Sequence, residues 1–242
     1  MRYGIFADIH SNLEALEAVI NAYKKEAIDK YLCAGDIVGY AANPGECIEK
    51  VNSLMGIAIA GNHDWAAVNL FPDDYFNPAA RQALAWTRLN LNDKGRSFLE
   101  ALKLTYGNKD LVMAHGTLQK PQDFNYMSDG YMAEETFRLL EADICFVAHT
   151  HVPGIYIKDG GKNLSYTQDN QADIKIENKY IVNVGSVGQP RDGNPDAAYC
   201  LYDSVKKKIQ IKRVSYDTEV TRKKIIDAGL PKSLGDRILT GR

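Results

Sequence analysis

The chain has 242 residues, of which 45% are hydrophobic and 25% are charged, and its formal net charge is −2. These values are ordinary for a globular protein and exclude global disorder. No block of Lys or Arg is present, so we expect no obligate nucleic-acid partner. The four cysteines form no CxxC pair, and no apolar run is long enough to be a signal peptide or to span a bilayer. We therefore expect a cytoplasmic protein without a membrane partner.

The first sixty residues predict a βαβαβ unit with a parallel sheet. Apolar runs at residues 2–7, 30–35 and 56–61 are typical of buried strands. Between the first two runs, residues 12–26 place apolar side chains at helical spacing. Pro44 is a favoured first residue for a second helix.

The middle of the chain predicts two helices within residues 78–102 and another near 134–140. Apolar runs at 110–114 and 144–148 predict two further strands. In the C-terminal half, alternating polarity and turn residues predict antiparallel hairpins in a second sheet. The expected strand segments there are 154–166, 179–185, 197–203 and 208–216.

No internal repeat, low-complexity segment or obvious linker divides the chain. We therefore expect a single domain over residues 1–242, with two sheets and helices outside them. The tail, residues 217–242, predicts short helices.

Five apolar runs end in a side chain that can bind a metal ion. These strand-end residues are Asp8 and His10, Asp36, Asn62 to Asp64, His115, and His149 and His151. In open α/β sheets, ligands bind beyond the carboxyl ends of the strands. All five histidines of the chain lie at these predicted ends. A lone histidine is more often structural, but five beside two carboxylates and an asparagine favour a metal site.

The ordered motifs D-x-H, G-D, G-N-H-D, H-G and H-x-H resemble those of the calcineurin-like metallophosphoesterases. They stand here at Asp8/His10, Gly35/Asp36, Gly61 to Asp64, His115/Gly116 and His149/His151. The segments "DIHSN", "NVGSVGQPRDGNPDAAY" and "DAGLPKSLGDRILTG" are similar to those of the small bacterial and archaeal phosphodiesterase branch. The resemblance implies an α/β fold, a four-layer αββα sandwich with two mixed β-sheets. It also implies a dinuclear metal-dependent phosphoesterase that cleaves phosphodiester or phosphomonoester bonds through attack by a metal-bound hydroxide.

The resemblance implies a role for each motif residue. The first metal would take Asp8, His10 and His151, and the second would take Asn62, His115 and His149. Asp36 would bridge both metals, and His63 would protonate the leaving oxygen as a general acid. Asp64 would orient His63, or it would cap the following helix instead. Mixed nitrogen and oxygen ligation without thiolate suits two divalent transition-metal ions, with Mn preferred over Fe, Zn, Ni or Co.

Three further residues are candidate substrate contacts. Arg191 lies in a glycine-rich loop, where it is either a phosphate contact or a solvated side chain. Phe124 lies in the polar segment 117–130, which is either a pocket wall or an ordinary surface loop. The same two alternatives apply to Tyr40.

Three other functions use the same residues. A serine/threonine phosphoprotein phosphatase needs the same set of metal ligands. The sequence hardly distinguishes this function from hydrolysis of a small phosphate ester. A non-catalytic interaction module on this fold and a structural metal site are disfavoured, because all eight motif positions are retained and no cysteine belongs to the set. We expect a small phosphate-ester substrate, and for an enzyme of this size we also expect a homodimer.

Overall fold

The computed structural model describes residues 1–242 and contains two six-stranded sheets. The strand order in the first sheet is β3 (Ile57–Ala58), β2 (Lys30–Cys33), β1 (Arg2–Phe6), β11 (Ala197–Asp203), β12 (Lys208–Val214) and β9 (Gln171–Asp173). The order in the second is β4 (Thr105–Gly107), β5 (Val112–Ala114), β6 (Ile144–Val147), β10 (Lys179–Asn183), β7 (Gly154–Lys158) and β8 (Leu164–Thr167). Both sheets mix parallel and antiparallel pairs, which confirms the predicted fold class.

Eight α-helices cover the outer faces of the two sheets. They are α1 (Leu13–Tyr23), α2 (Pro44–Ser53), α3 (Asn62–Ala67), α4 (Pro78–Asn90), α5 (Asp93–Glu100), α6 (Gly130–Leu139), α7 (Thr218–Asp227) and α8 (Lys232–Ile238). Helix α6 packs on the second sheet, and the other helices share one apolar core with the first sheet. None of the eight is both long and apolar enough to cross a membrane.

The central strands β1, β6, β10 and β11 are apolar on both faces because both faces are covered. In β1, Tyr3 and Ile5 point into the core between the two sheets, whereas Phe6 points toward the helices. Across the central core, the rings of Phe146 and Tyr202 are 5.6 Å apart. Burial of both faces explains why the predicted strands are continuous apolar runs in the sequence.

The C-terminal strands do not form a sheet of their own, so that prediction was wrong. The hairpins β7–β8 and β11–β12 exist as expected. However, β11 pairs with β1 in the first sheet, whereas β7 and β10 complete the second. Alternating polarity specifies which face of a strand is buried. It does not specify which distant strand lies alongside.

Parallel pairing brings the predicted functional ends together. Strands β1, β2 and β3 are parallel in the first sheet, as the βαβαβ pattern predicts, and β5, β6 and β10 are parallel in the second. Hydrogen bonds join their carboxyl ends, from Asp8 N to Gly35 O and from Ala148 N to His115 O. The His115 ring also reaches the first sheet, where its Nδ1 donates to Ala34 O at 2.8 Å. The carboxyl ends of both sheets therefore meet at one edge of the sandwich.

Candidate metal centre

The turns after five strands carry the predicted ligands on an unusual backbone. Five of these residues have φ values between 49° and 70°, in the left-handed region: Asp8, His10, Asp36, His149 and His151. Residues other than glycine rarely adopt this conformation, which costs on the order of 1–3 kcal/mol each. Backbone strain of this kind clusters at functional sites, where the surrounding structure holds it in place.

Asp8 and Asp36 are buried, and each has one oxygen fixed by the backbone and one that is free. Asp8 Oδ2 accepts a hydrogen bond from His149 N at 3.1 Å, and Asp36 Oδ1 accepts one from His63 N at 2.9 Å. Asp8 Oδ1 and Asp36 Oδ2 are buried without a hydrogen-bond partner. A buried carboxylate oxygen is costly unless it is paired or binds a cation.

Three histidines are oriented by backbone carbonyls. The Nδ1 atoms of His10, His115 and His151 lie 3.2, 2.8 and 2.5 Å from the carbonyl oxygens of Val38, Ala34 and Gln189. A carbonyl only accepts, so each Nδ1 carries a proton. The rings of His10 and His151 are neutral and direct an Nε2 lone pair into the cluster, and His115 does so once its second proton is displaced. The Nε2 atoms of His10 and His151 are 3.1 Å apart. Two facing lone pairs at this distance repel each other unless a cation lies beside them.

The distances between donor atoms fit metal coordination. Two ligand atoms that are each about 2.1 Å from one metal ion lie at most about 4.2 Å from one another. Asp36 Oδ2 is 3.3 Å from His115 Nε2 and 3.6 Å from His10 Nε2, so it lies between the two predicted sites. Asp8 Oδ1 is 3.7 Å from His151 Nε2 and 3.9 Å from His10 Nε2. The resulting groups of candidate ligands are Asp8, His10 and His151, then His10, Asp36 and His63, then Asp36, His115 and His149.

Asn62, the remaining predicted ligand, begins helix α3 and lines the same cavity as Asp36 and His149. Its Oδ1 is buried without a partner, as are the free oxygens of the two aspartates. The donor set therefore contains carboxylate, amide and imidazole groups but no thiolate. This chemistry suits divalent first-row transition metals.

The electrostatics of the cluster also favour a cation. Burial lowers the pKa of His10, His149 and His151 well below its ordinary value, so these rings are neutral and keep a lone pair. Burial acts in the same direction on His115, but the Asp36 and Asp8 carboxylates outweigh it and raise the pKa of His115 to about 9. The site thus carries local negative charge that a proton or a metal ion can neutralise.

His63 lies at the floor of the cavity and is packed between rings. Its ring centre is 4.4 Å from that of Tyr40 and 4.7 Å from that of Phe76. Burial lowers the pKa of His63 to about 4, so the ring is neutral in this environment. Its Nδ1 has no hydrogen-bond partner.

Asp64 does not contact His63 through a hydrogen bond, so the orienting role predicted for it was wrong. Its Oδ1 accepts from the backbone N–H groups of Ile37 and Val38, and its Oδ2 accepts from Gly61 N–H. The helix-cap alternative holds in another form: helix α3 begins at Asn62, and Asp64, the third residue of the helix, accepts from the backbone N–H of the N-cap Gly61, as in a capping box. The residue ties the turn after β2 to the turn after β3.

Four of the seven predicted ligands, Asp36, Asn62, His149 and His151, line a cavity of about 310 Å³, and Arg191, Tyr40 and Phe124 line it as well. Arg191 is not a freely solvated side chain: its Nε is buried without a partner, and its guanidinium donates to Tyr40 Oη and Gln189 Oε1. Phe124 is 4% exposed, and its ring packs edge-on against His115. The segment that carries Phe124 is thus a pocket wall, one of the two alternatives that the sequence left open.

Sequence reasoning missed several residues in and around the cavity. Gln189 fixes the His151 ring through its carbonyl oxygen, and its side-chain Nε2 is buried without a partner. Phe71, Tyr75 and Phe76 form part of the wall. The only signal for the aromatic residues was their density in the otherwise polar segment "FPDDYF".

Comparison with known proteins agrees with this geometry. The model of the calcineurin-like phosphoesterase superfamily domain matches residues 1–207. An uncharacterized protein of Methanocaldococcus jannaschii is 37% identical over an alignment of 242 positions. The alignment covers 98% of this chain and 97% of that protein. The crystal structure of a metallophosphoesterase from Sphaerobacter thermophilus is 36% identical, with a TM-score of 0.89 over 100% of this chain and 99% of that one.

The fold extends to more distant proteins. A hypothetical protein from Pyrococcus horikoshii OT3 is 22% identical and has a TM-score of 0.81, with coverage of 100% of this chain and 98% of that chain. At this identity the likeness shows the fold alone.

The chain belongs to the calcineurin-like phosphoesterase superfamily. Membership implies a hydrolase of phosphoric esters from a metal-dependent family, and the Asp and His groups described above are its candidate metal ligands.

Proposed function

We propose that the protein hydrolyses small phosphodiesters, and phosphomonoesters to a lesser extent, with two divalent metal ions held at the joined edges of its sheets. The observation that carries this proposal is the convergence of two unpartnered carboxylate oxygens on imidazole lone pairs. Within the protein only the protonated His115 ring can pair with Asp36 Oδ2, and Asp8 Oδ1 has no hydrogen-bond partner, whereas a pair of cations would satisfy both oxygens.

The ligands divide between two positions. Asp8, His10 and His151 would hold the first ion, and Asn62, His115 and His149 would hold the second. Asp36 would serve both, because its free oxygen lies between His10 and His115. When bound, the pair of cations, with Mn as the first candidate, would activate a water molecule and offset the negative charge of the phosphate.

The other residues of the cavity would act on the substrate directly. The guanidinium of Arg191 has no carboxylate partner. A guanidinium in this position binds phosphate oxygens well. His63 lines the cavity beside the ligand Asn62, where its ring would protonate the leaving oxygen. Burial favours the neutral ring, but a bound phosphate anion raises a histidine pKa and so supports this role.

The size of the cavity favours a small ester over a phosphoprotein as the substrate. Its volume, about 310 Å³, is at the lower end of the range of small-molecule sites, roughly 300–1,000 Å³. The deciding experiment is an assay of the metal-reconstituted protein on phosphodiesters, phosphomonoesters and phosphopeptides. We expect the diesters to be cleaved fastest and the phosphopeptides to be left intact. Preferential dephosphorylation of peptides would favour the phosphoprotein phosphatase, and no turnover with any metal would favour a non-catalytic module.

A further inference from the structure

The wall of the metal cavity is predominantly aromatic. Six aromatic residues line it: Tyr40, Phe71, Tyr75, Phe76, Phe124 and Tyr126. Arg191 is the only lysine or arginine among the lining residues. A site that bound only phosphate would need positive charge and hydrogen-bond donors rather than this much ring surface.

The rings form a continuous path from the mouth of the cavity to its floor. Tyr75 stacks on Phe71, with ring centres 5.6 Å apart and planes at 28°. Phe71 meets Phe124 edge-on at 5.1 Å, and Phe124 meets the predicted ligand His115 at 5.9 Å. Tyr75 is therefore the outer end of an aromatic wall that begins beside the metal site.

Tyr75 is unusual because it is a large ring left open to solvent. Its side chain is 80% exposed, and Phe71 covers one of its faces. The turn that carries it is anchored, since Asp73 accepts a hydrogen bond from Arg88 at 2.8 Å, and Arg88 also donates to Ala66 O in helix α3. The fold thus holds an uncovered aromatic face at the entrance of the cavity.

We propose that Tyr75 stacks on a planar ring of the substrate, and that the substrate is a phosphate ester of a nucleoside. Stacking on an aromatic side chain is sequence-tolerant and contributes substantially to the binding of each base. The cavity lining holds one arginine and no lysine, so it offers no basic track for the successive phosphates of a polymer and favours a single nucleotide unit. This inference rests on the proposed phosphoesterase function, which places the phosphate at the floor of the cavity.

Tyr75 tests the idea better than the other exposed ring. Tyr126 stacks directly on His149, with ring centres 3.9 Å apart and planes at 12°. Its removal would disturb a predicted metal ligand as well as a substrate contact. The ring of Tyr75 stacks only on Phe71, so its replacement changes the mouth of the cavity and leaves the predicted ligands in place.

The experiment measures the affinity of two matched ligands for the manganese-loaded protein by calorimetry. The ligands are the phosphonate analogues of adenosine 5′-phosphate and ribose 5-phosphate, in which a carbon atom replaces the ester oxygen and prevents hydrolysis. We expect the adenosine analogue to bind about tenfold more tightly than the ribose analogue. Tyr75→Leu should abolish that difference, whereas Tyr75→Phe should keep it. Tyr131→Leu is the control, because Tyr131 is 71% exposed and lies outside the cavity.

Three outcomes would overturn the inference: equal affinity for the two ligands, a preference that survives in Tyr75→Leu, or no binding of either ligand at millimolar concentration. The measurement is independent of turnover. The protein could show a nucleoside preference that depends on Tyr75 and yet cleave no ester. That result would support the stacking site and refute the proposed function. Rapid cleavage of esters without a nucleoside preference would support the proposed function and refute the stacking site.

Discussion

Asp36 is the residue whose position connects the two halves of the candidate centre. One of its oxygens is fixed by His63 N–H, and the other lies 3.6 Å from His10 Nε2 and 3.3 Å from His115 Nε2. His10 belongs to the first proposed site and His115 to the second. A change at Asp36 should therefore be felt at both sites.

We predict that Asp36→Asn weakens both metal sites together. The substitution keeps the size of the side chain but removes the negative charge that the two cations would share. Elemental analysis of the purified variant should show both metals lost or strongly reduced. Asp169→Asn, a change at an exposed aspartate, should retain the wild-type metal content. Loss of only one metal from the Asp36 variant would contradict the bridging position.

His63 separates metal binding from catalysis. Its backbone N–H orients Asp36, and this contact persists when the side chain is removed. We therefore predict that His63→Ala keeps its metals while turnover falls. For an ester with an alkoxide-like leaving group, the loss should be nearer to ~10⁴ than to ~10², the usual range for general acid catalysis.

The dependence on the leaving group is the decisive part of this prediction. A nitrophenolate departs without a proton, so its ester should lose less rate in His63→Ala than the alkyl ester does. The measurement is kcat for both esters in wild type and variant, with metal content determined on the same samples. An equal loss for both esters, or a loss of metal, would remove His63 from the role of general acid.

At the scale of elements, Asp64 joins the turn after β2 to the start of α3. Its carboxylate is fully buried and accepts three backbone N–H groups from these two segments. A buried donor left without its acceptor costs about 1–3 kcal/mol. The two turns carry Asp36 and Asn62, so the placement of two proposed ligands depends on this carboxylate.

We predict that Asp64→Ala lowers the free energy of unfolding of the metal-free protein by about 3–5 kcal/mol. Urea denaturation in the presence of a chelator measures this value without a contribution from metal binding. The control is Asp129→Ala, which removes the exposed N-cap of α6 and should cost only about 1 kcal/mol. A stability loss no larger than that of the control would show that Asp64 does not hold the turns together.

At the scale of the whole molecule, both sheets end in strands with an unpaired edge. Strand β8 is the outer strand of the second sheet, and Tyr166 in it is 48% exposed. Edge strands of this kind can pair with a second copy of the chain. Closed two-fold dimers are the commonest arrangement of soluble oligomers.

We therefore predict a homodimer. Light scattering at increasing protein concentration should give twice the mass of the chain, 26.9 kDa. Tyr166→Lys, which places a charge on the β8 edge, should shift the mass toward that of the monomer if this edge forms the interface. A monomer at all concentrations would contradict the prediction.

Much of the fold could be predicted from the sequence, because strands and helices produce patterns among residues that are close together in the chain. Buried strands appear as apolar runs, and helices appear as the 3.6-residue recurrence of apolar side chains. The parallel pairing of β1, β2 and β3 followed from the alternation of these elements. Strands β4 and β9 were missed, since their sequences, Thr-Tyr-Gly and Gln-Ala-Asp, contain no apolar run.

The distribution of strands between sheets was decided only by tertiary structure. Strand β11 pairs with β1 across almost the whole chain, with Ile5 opposite Cys200. Both faces of β11 are buried and apolar. This pattern shows that both faces of the strand are covered, but it does not specify which strands pair with it at its sides.

The metal-capable residues were likewise identifiable from sequence, because residue type and position after an apolar run are local facts. Tertiary structure decided how they are used. The carbonyl oxygens that orient His10 and His115 lie in the turn after β2, which only folding brings beside these rings. The role of Asp64 also depends on tertiary structure. Its carboxylate accepts hydrogen bonds from the backbone N–H groups of Val38 and Ile37, which are 26 and 27 residues away in the chain. Residue type and order therefore specified which chemistry the chain can perform, and packing of the two sheets decided the geometry in which each side chain performs it.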